Sequence, residues 1–192
     1  EKAASTPIEG TATELKVMLA GVSSYTGALK ATDAAGVSAA QLNTIAAGTT
    51  GKVTATLAPA TTIDAAAVSA LKDVKATDAI TFKTTDTGLD GNAEINALIS
   101  LNKILPKADW SDIVTIEGTA NDVSIIKQAL AIAKNPALTV EITAGIISAE
   151  DANAIAKLAG GALTATIKDG SVAATLKALS DVKVIDNLTF IS

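Results

Sequence analysis

Along this chain, short runs of alternating aliphatic and polar residues recur at even spacing. Six runs open with an aliphatic residue and a threonine: Val53-Thr54-Ala55-Thr56-Leu57, Ile80-Thr81-Phe82-Lys83-Thr84, Val114-Thr115-Ile116-Glu117-Gly118, Leu138-Thr139-Val140-Glu141-Ile142, Leu163-Thr164-Ala165-Thr166-Ile167 and Leu188-Thr189-Phe190-Ile191-Ser192. The starts of the last four, Val114, Leu138, Leu163 and Leu188, are almost evenly spaced. Two weaker copies lie upstream: Leu29-Lys30-Ala31-Thr32, and Thr6-Pro7-Ile8-Glu9-Gly10-Thr11, which echoes Thr115-Ile116-Glu117-Gly118-Thr119. A period of two predicts a strand with one face buried and one wet. The first, third and fifth positions then point inward, the second and fourth outward.

Between the strands the apolar spacing changes to three and four, as in Leu15, Met18 and Leu19, or Val123, Ile126 and Leu130. Helices with one apolar face follow over 14–20, 39–47, 65–73, 93–105, 122–133, 149–158 and 172–179. Thr11-Ala12-Thr13-Glu14 and Ser38-Ala39-Ala40-Gln41 read as capping boxes, with Ser148 and Ser171 as further N-caps. Gly48, Asn135-Pro136 and Gly160-Gly161 mark helix ends.

One helix between successive strands makes each connection a crossover, so the sheet is parallel and the crossovers right-handed. Strands buried on both faces of a doubly wound sheet would be continuously apolar, whereas here the outward positions are Thr, Lys and Glu. The expected fold is therefore α/β: a right-handed solenoid of about 25-residue strand–helix repeats, with a parallel sheet on one face and helices on the other. It would be a single repeat domain over 1–192. Its units lie near 6–28, 29–52, 53–79, 80–113, 114–137, 138–162 and 163–187, with a final strand at 188–192.

These strand–helix units resemble leucine-rich repeats in geometry, although no asparagine follows the strands to tie the turn. The Thr-marked, Ala-rich repeats also resemble those of large bacterial secreted surface proteins and adhesins. That resemblance implies a secreted or cell-surface location and a structural or adhesive role. The opening residue, Glu1 in place of Met, reads as an excised or processed piece of a longer array.

Composition narrows the chemistry. Apolar residues make up 48% and aromatics 2%, so the core is thin and aliphatic. The net charge is −5 and all 15 basic residues are lysines. Without arginine or stacking aromatics, nucleic acid is not an expected partner. No apolar run is long enough for membrane insertion. With no histidine and no cysteine, imidazole bases, thiol nucleophiles and His/Cys metal sites are excluded. The expectation is a non-enzymatic module without a cofactor, serving as spacer or adhesive surface. The alternative is a protein-recognition scaffold that holds a protein or cell-surface ligand on its exposed strand face.

Stacked rungs would align Thr54, Thr81, Thr115, Thr139, Thr164 and Thr189 in one outward column, and Thr56, Lys83, Glu117, Glu141, Thr166 and Ile191 in a second. The candidate binding face comprises Thr54, Thr81, Lys83, Thr115, Glu117, Thr139, Glu141, Thr164 and Thr166. A threonine lattice for ice is disfavoured, because charges interrupt the second column. Glu117 and Glu141 could form a glycosidase-like pair. Without a pocket or sugar platform, they read better as a solvated pair near Lys83. The interval from Ile80 to Val114 is longer than the others, and its excess maps to a loop. There Asp86, Asp90, Asn92 and Glu94 are candidate calcium ligands, although turn and cap duty explains them adequately. Trp110 is expected to plug the core at this irregularity. Bare terminal strand edges would permit self-association.

Overall fold

A computed structural model describes residues 6–23, 25–60, 62–168 and 177–191. The chain divides into two compact units, Glu1–Thr84 with Ser100–Asp109, and Thr85–Ile99 with Trp110–Ser192.

The first unit holds strands β1 (Ile8–Gly10), β2 (Leu29–Ala31), β3 (Val53–Thr56) and β4 (Ala79–Thr81), with helices α1 (Ala12–Ala20), α2 (Ala39–Ala47) and α3 (Ala65–Ser69) between them. Its sheet runs β1-β2-β3-β4, every pair parallel. Leu29, Val53, Ala55 and Ile80 are buried from the strands, and Leu15, Leu42 and Ile45 from the helices. The alternation read from the sequence thus sorts these side chains inward. α3 stops at Ser69, so the helix expected to reach residue 73 is cut short.

The second unit holds β5 (Gly88–Asp90), β6 (Thr115–Thr119), β7 (Thr139–Ala144), β8 (Leu163–Lys168) and β9 (Asn187–Ile191), again parallel and in sequential order. A 3-10 turn (Ala120–Asp122) leads into α5 (Val123–Ala133), and α6 (Ala149–Leu158) follows β7. Helix α4 (Asn92–Ile104) belongs to the second unit through Ile99 and to the first from Ser100. The helix expected over 172–179 and its cap Ser171 fall outside the described residues up to 176, as does Ser192.

Two expectations are corrected. The excess between Ile80 and Val114 is not a plain loop: Gly88-Leu89-Asp90 is a strand paired with Thr115-Ile116-Glu117. The register also differs. Thr81 lies opposite Thr56 and Thr54 opposite Ala79, while Thr164 lies opposite Glu141 and Thr189 opposite Thr166. Where β3 meets β4, and again where β8 meets β9, the slip from the expected alignment is an even one, which leaves every side chain on its own face. For β3 and β4 the cause is visible. The Asp78 carboxylate accepts from the Val53 amide (2.9 Å) and the Lys75 amide (2.9 Å), which fixes Asp78 beside Val53 and sets Ile80 beside Ala55.

Candidate functional site

The outward strand face breaks into short columns. In the first unit one column reads Glu9, Lys30, Thr54 and Ala79, with Thr56 beside Thr81 in the next. Lys30 donates to Glu9 at 3.3 Å, an exposed ion pair that contributes little. Lys83 makes an isolated parallel bridge with Asp109 instead of extending a Thr/Glu column.

In the second unit Gly88, Thr115 and Thr139 form one column, and Asp90, Glu117, Glu141, Thr164 and Asn187 the next. Thr166 pairs with Thr189. The in-register pairing of Glu117 with Glu141 is as expected. The residue on the other side of Glu117 is Asp90, not Lys83, so three carboxylates line up at about the 4.8 Å strand spacing. Mutual repulsion there is relieved by water, since Asp90 and Glu141 are exposed and Glu117 is half-buried.

Two threonine hydroxyls of the candidate face, and that of Thr143, bond within the sheet. Thr139 Oγ1 donates to the Val114 carbonyl at 3.1 Å, Thr115 Oγ1 to Thr87 at 3.4 Å and Thr143 Oγ1 to Gly118 at 3.2 Å. Each ties a strand to the segment next to it in the sheet.

Three of the candidate calcium ligands, Asp86, Asn92 and Glu94, have side chains engaged with their neighbours. Asp86 accepts from the Gly88 amide, Glu94 accepts from the Asp90 amide at 2.7 Å, and Asn92 donates to Asp122 at 2.7 Å. Among the described residues no group of three or more His, Cys, Asp or Glu is placed to hold a metal ion. Trp110 is buried. No helix among the described residues is long and apolar enough to cross a membrane.

Sequence reasoning missed a set of side-chain locks that occurs twice. Asn43 donates to Asp73 at 2.9 Å and accepts from the Asp73 amide at 2.7 Å; Asn153 and Asp181 do the same at 2.8 and 2.6 Å. Asp186 takes the Leu163 and Lys183 amides at 2.8 and 2.7 Å, as Asp78 takes those of Val53 and Lys75. The Lys75 ammonium donates to the Thr49 carbonyl just past α2, and that of Lys183 to the Ala159 carbonyl just past α6. The first turns match as well. Glu14 accepts from the Thr11 amide and hydroxyl at 2.8 and 2.9 Å, and Asp122 accepts from those of Thr119 at 2.8 and 2.7 Å.

From Glu14 and Asp122 to Lys75 and Lys183, the matched positions keep nearly one constant offset along the chain. The two stretches share Ile-Glu-Gly-Thr-Ala at 8–12 and 116–120, Thr-Ala-Thr at 54–56 and 164–166, and Asp-Val-Lys at 73–75 and 181–183. The chain is therefore an internal duplication, each copy containing several of the shorter repeats. Comparing the chain with itself at that long offset, instead of at the strand-to-strand period, is the signal that finds the locks.

The locks also tune charge. Bonds from Asn92 and then from the Thr119 amide and hydroxyl hold the Asp122 carboxyl below its ordinary value. Glu14 is lowered by its bonds from Thr11, and Asp151 chiefly by Lys127, whose ammonium lies 2.9 Å away.

No protein-family model, no curated protein and no solved structure matches this chain.

Proposed function

We propose that the chain is a stretch of right-handed strand–helix solenoid and a non-enzymatic repeat module of a secreted or cell-surface bacterial protein, acting as spacer or adhesive surface. The observation that carries this reading is the repetition of the same locks in both copies. Asn43 and Asn153, Asp78 and Asp186, and Lys75 and Lys183 bind main-chain or side-chain groups of the adjacent rung, and so hold rungs together. Sequential parallel pairing within each unit supports stacked rungs, and near-universal right-handed crossovers supply the hand. The resemblance to Thr/Ala-rich repeats of bacterial surface proteins supports the location.

Protease treatment of intact cells of the producing organism tests the reading. A surface module is released or cleaved while cytosolic markers stay whole; protection until lysis overturns it. A second reading, a scaffold that grips a partner on the strand face, is favoured by the open row Asp90, Glu117 and Glu141. Glu117→Lys with Glu141→Lys separates the two: adhesion falls with folding intact for a gripping face, and is unchanged for a spacer.

A further inference from the structure

The two copies treat one place between neighbouring helices in opposite ways. In the first, α1 lays Leu19 across Gly48, the residue that ends α2, so closely that a Cβ there would meet the leucine at 2.8 Å. The place is filled from within. Leu19 follows the capping Glu14 by five residues, and Lys127 follows Asp122 by the same number. In the second copy the leucine is thus a lysine, and its ammonium turns away to Asp151, 2.9 Å distant in the first turn of α6.

An open trough of about 400 Å³ is left between the ends of α5 and α6. Leu130, Ala131, Pro136 and Leu158 give it apolar walls, and Lys134 and Lys157 line it as well. Leu130 is buried, whereas Leu158 is 45% exposed. Counted from the lock asparagines, Lys157 and Leu158 stand where the first copy has Ala47 and Gly48. Counted back from Leu138 and Leu29, Lys134 stands where it has Tyr25. The second copy has therefore gained two cations and an exposed leucine around the space that lost its plug.

The fold itself asks for neither lysine. A cation in the last turn favours the negative end of a helix, yet α1 and α2 end with no basic residue there. Lys134 caps α5 at φ 51°, in the left-handed region where glycine or asparagine fits with less strain. No other non-glycine residue among those described has a positive φ. Neither ammonium has an ion-pair or hydrogen-bond partner among the described residues.

We infer that this trough is a docking site for an acidic peptide segment that carries an aliphatic side chain between carboxylates. The aliphatic group takes the place that Leu19 fills in the first copy, against Leu130, Ala131 and Leu158. The carboxylates meet Lys134 and Lys157. Charge complementarity selects this occupant: with two unpaired cations around an apolar floor, a basic segment is repelled and a neutral one leaves both cations unmatched. The inference goes beyond the proposed function, since the trough is built from helix ends, not from the outward strand residues, and does not depend on where the protein resides.

The test uses the full chain and a fluorescent peptide, Glu-Glu-Leu-Glu-Glu. Saturable binding in anisotropy is expected, weakened by added salt, with amide shift changes at 130–135 and 157–160. Lys157→Ala restores the residue of the first copy, and Lys134→Gly relieves the left-handed backbone. Each weakens binding about twofold to fivefold, the scale of one exposed ion pair, without threatening the fold. Lys134→Glu combined with Lys157→Glu removes it. Replacing the peptide's leucine by serine weakens binding about fivefold or more, because the apolar floor then stays wet. Absence of saturable binding, or binding that the double charge reversal leaves intact, overturns the proposal. Equal binding of the serine peptide overturns it too, since charge alone would then attract any anion. Self-association of the chain that the double reversal abolishes would assign the trough to a second copy and overturn the peptide proposal as well.

Discussion

The two units carry the same locks but differ in what covers their last strands. Leu71, Val74, Ile80 and Phe82 are all buried in the first; their counterparts Leu179, Val182 and Leu188 are half-buried in the second and Phe190 is exposed. Shared bonds therefore fix register and turn geometry, while burial of the same residue types depends on apolar neighbours, which for Phe82 include Leu101 and Leu105 of the covering segment Ser100–Asp109. The copies separate the contribution of hydrogen bonding from that of apolar cover at matched positions, as a designed double comparison would.

The largest break in that comparison comes from the phenylalanines. Phe82→Ala empties a packed site and is expected to cost about 3–5 kcal/mol in urea unfolding. Phe190→Ala removes a half-exposed ring and is expected to cost about 1 kcal/mol or less. Equal losses would mean that Phe190 is packed as closely as Phe82 and that cover makes no difference between the two.

Next come the aspartates that anchor the strand starts. Asp78 is buried, so Asp78→Ala leaves the Val53 and Lys75 amides without partners in a dry site and is expected to cost about 2–3 kcal/mol. Asp186 makes the same two bonds but is half-buried, so water replaces part of what is lost and about 1–2 kcal/mol is expected. Hydrogen exchange at Val53 and Leu163 reads the two sites separately: both amides should speed up, Val53 by the larger factor.

Much of this architecture was legible in the pattern of residues. Alternation at Val53, Ala55 and Leu57 placed three buried side chains correctly, and Thr11 with Glu14, and Ser38 with Gln41, form the capping boxes their spacing announces. α2 and α6 begin and end where the three–four spacing puts them. Register was not legible, for a physical reason. An even slip changes no side chain's face, so the hydrophobic pattern is blind to it and a buried carboxylate, Asp78, makes the choice. β5 was hidden because Gly88-Leu89-Asp90 offers one aliphatic residue between turn formers. The candidate face suffered most. Its columns depended on register, and the side chains that lock the rungs lie outside the pentads, at Asn43, Asp73, Lys75 and their counterparts.

Those asparagines give the third contrast. Asn43→Ala and Asn153→Ala each remove a reciprocal pair of bonds at a partly buried site, and each is expected to cost about 1–2 kcal/mol. Here the prediction is near-equality, because neither lock depends on the segment that covers Phe82. A loss at Asn43 several times that at Asn153 would tie the locks to apolar cover and collapse the distinction between the two contributions.

The smallest expected effect concerns acid. Asp122 and Glu14 cap equivalent first turns, and bonds to the charged form lower both carboxyls in the folded chain. A carboxyl lowered on folding contributes stability that is complete above its unfolded value, near 3.9 for Asp and 4.3 for Glu. That contribution is lost as pH falls through the folded value, since the unfolded chain then binds the proton first. The buried Asp122 also takes a bond from Asn92, whereas Glu14 is exposed and has Thr11 alone. Between pH 5 and about 2, Asp122→Asn should therefore flatten the loss of stability more than Glu14→Gln does. The readout is the slope of unfolding free energy against pH for the two variants and the parent chain. A parent-like slope for Asp122→Asn would show that the Thr119 cap draws nothing from the carboxylate charge, and that the matched first turns are held by packing of Val123 and Ile126 instead.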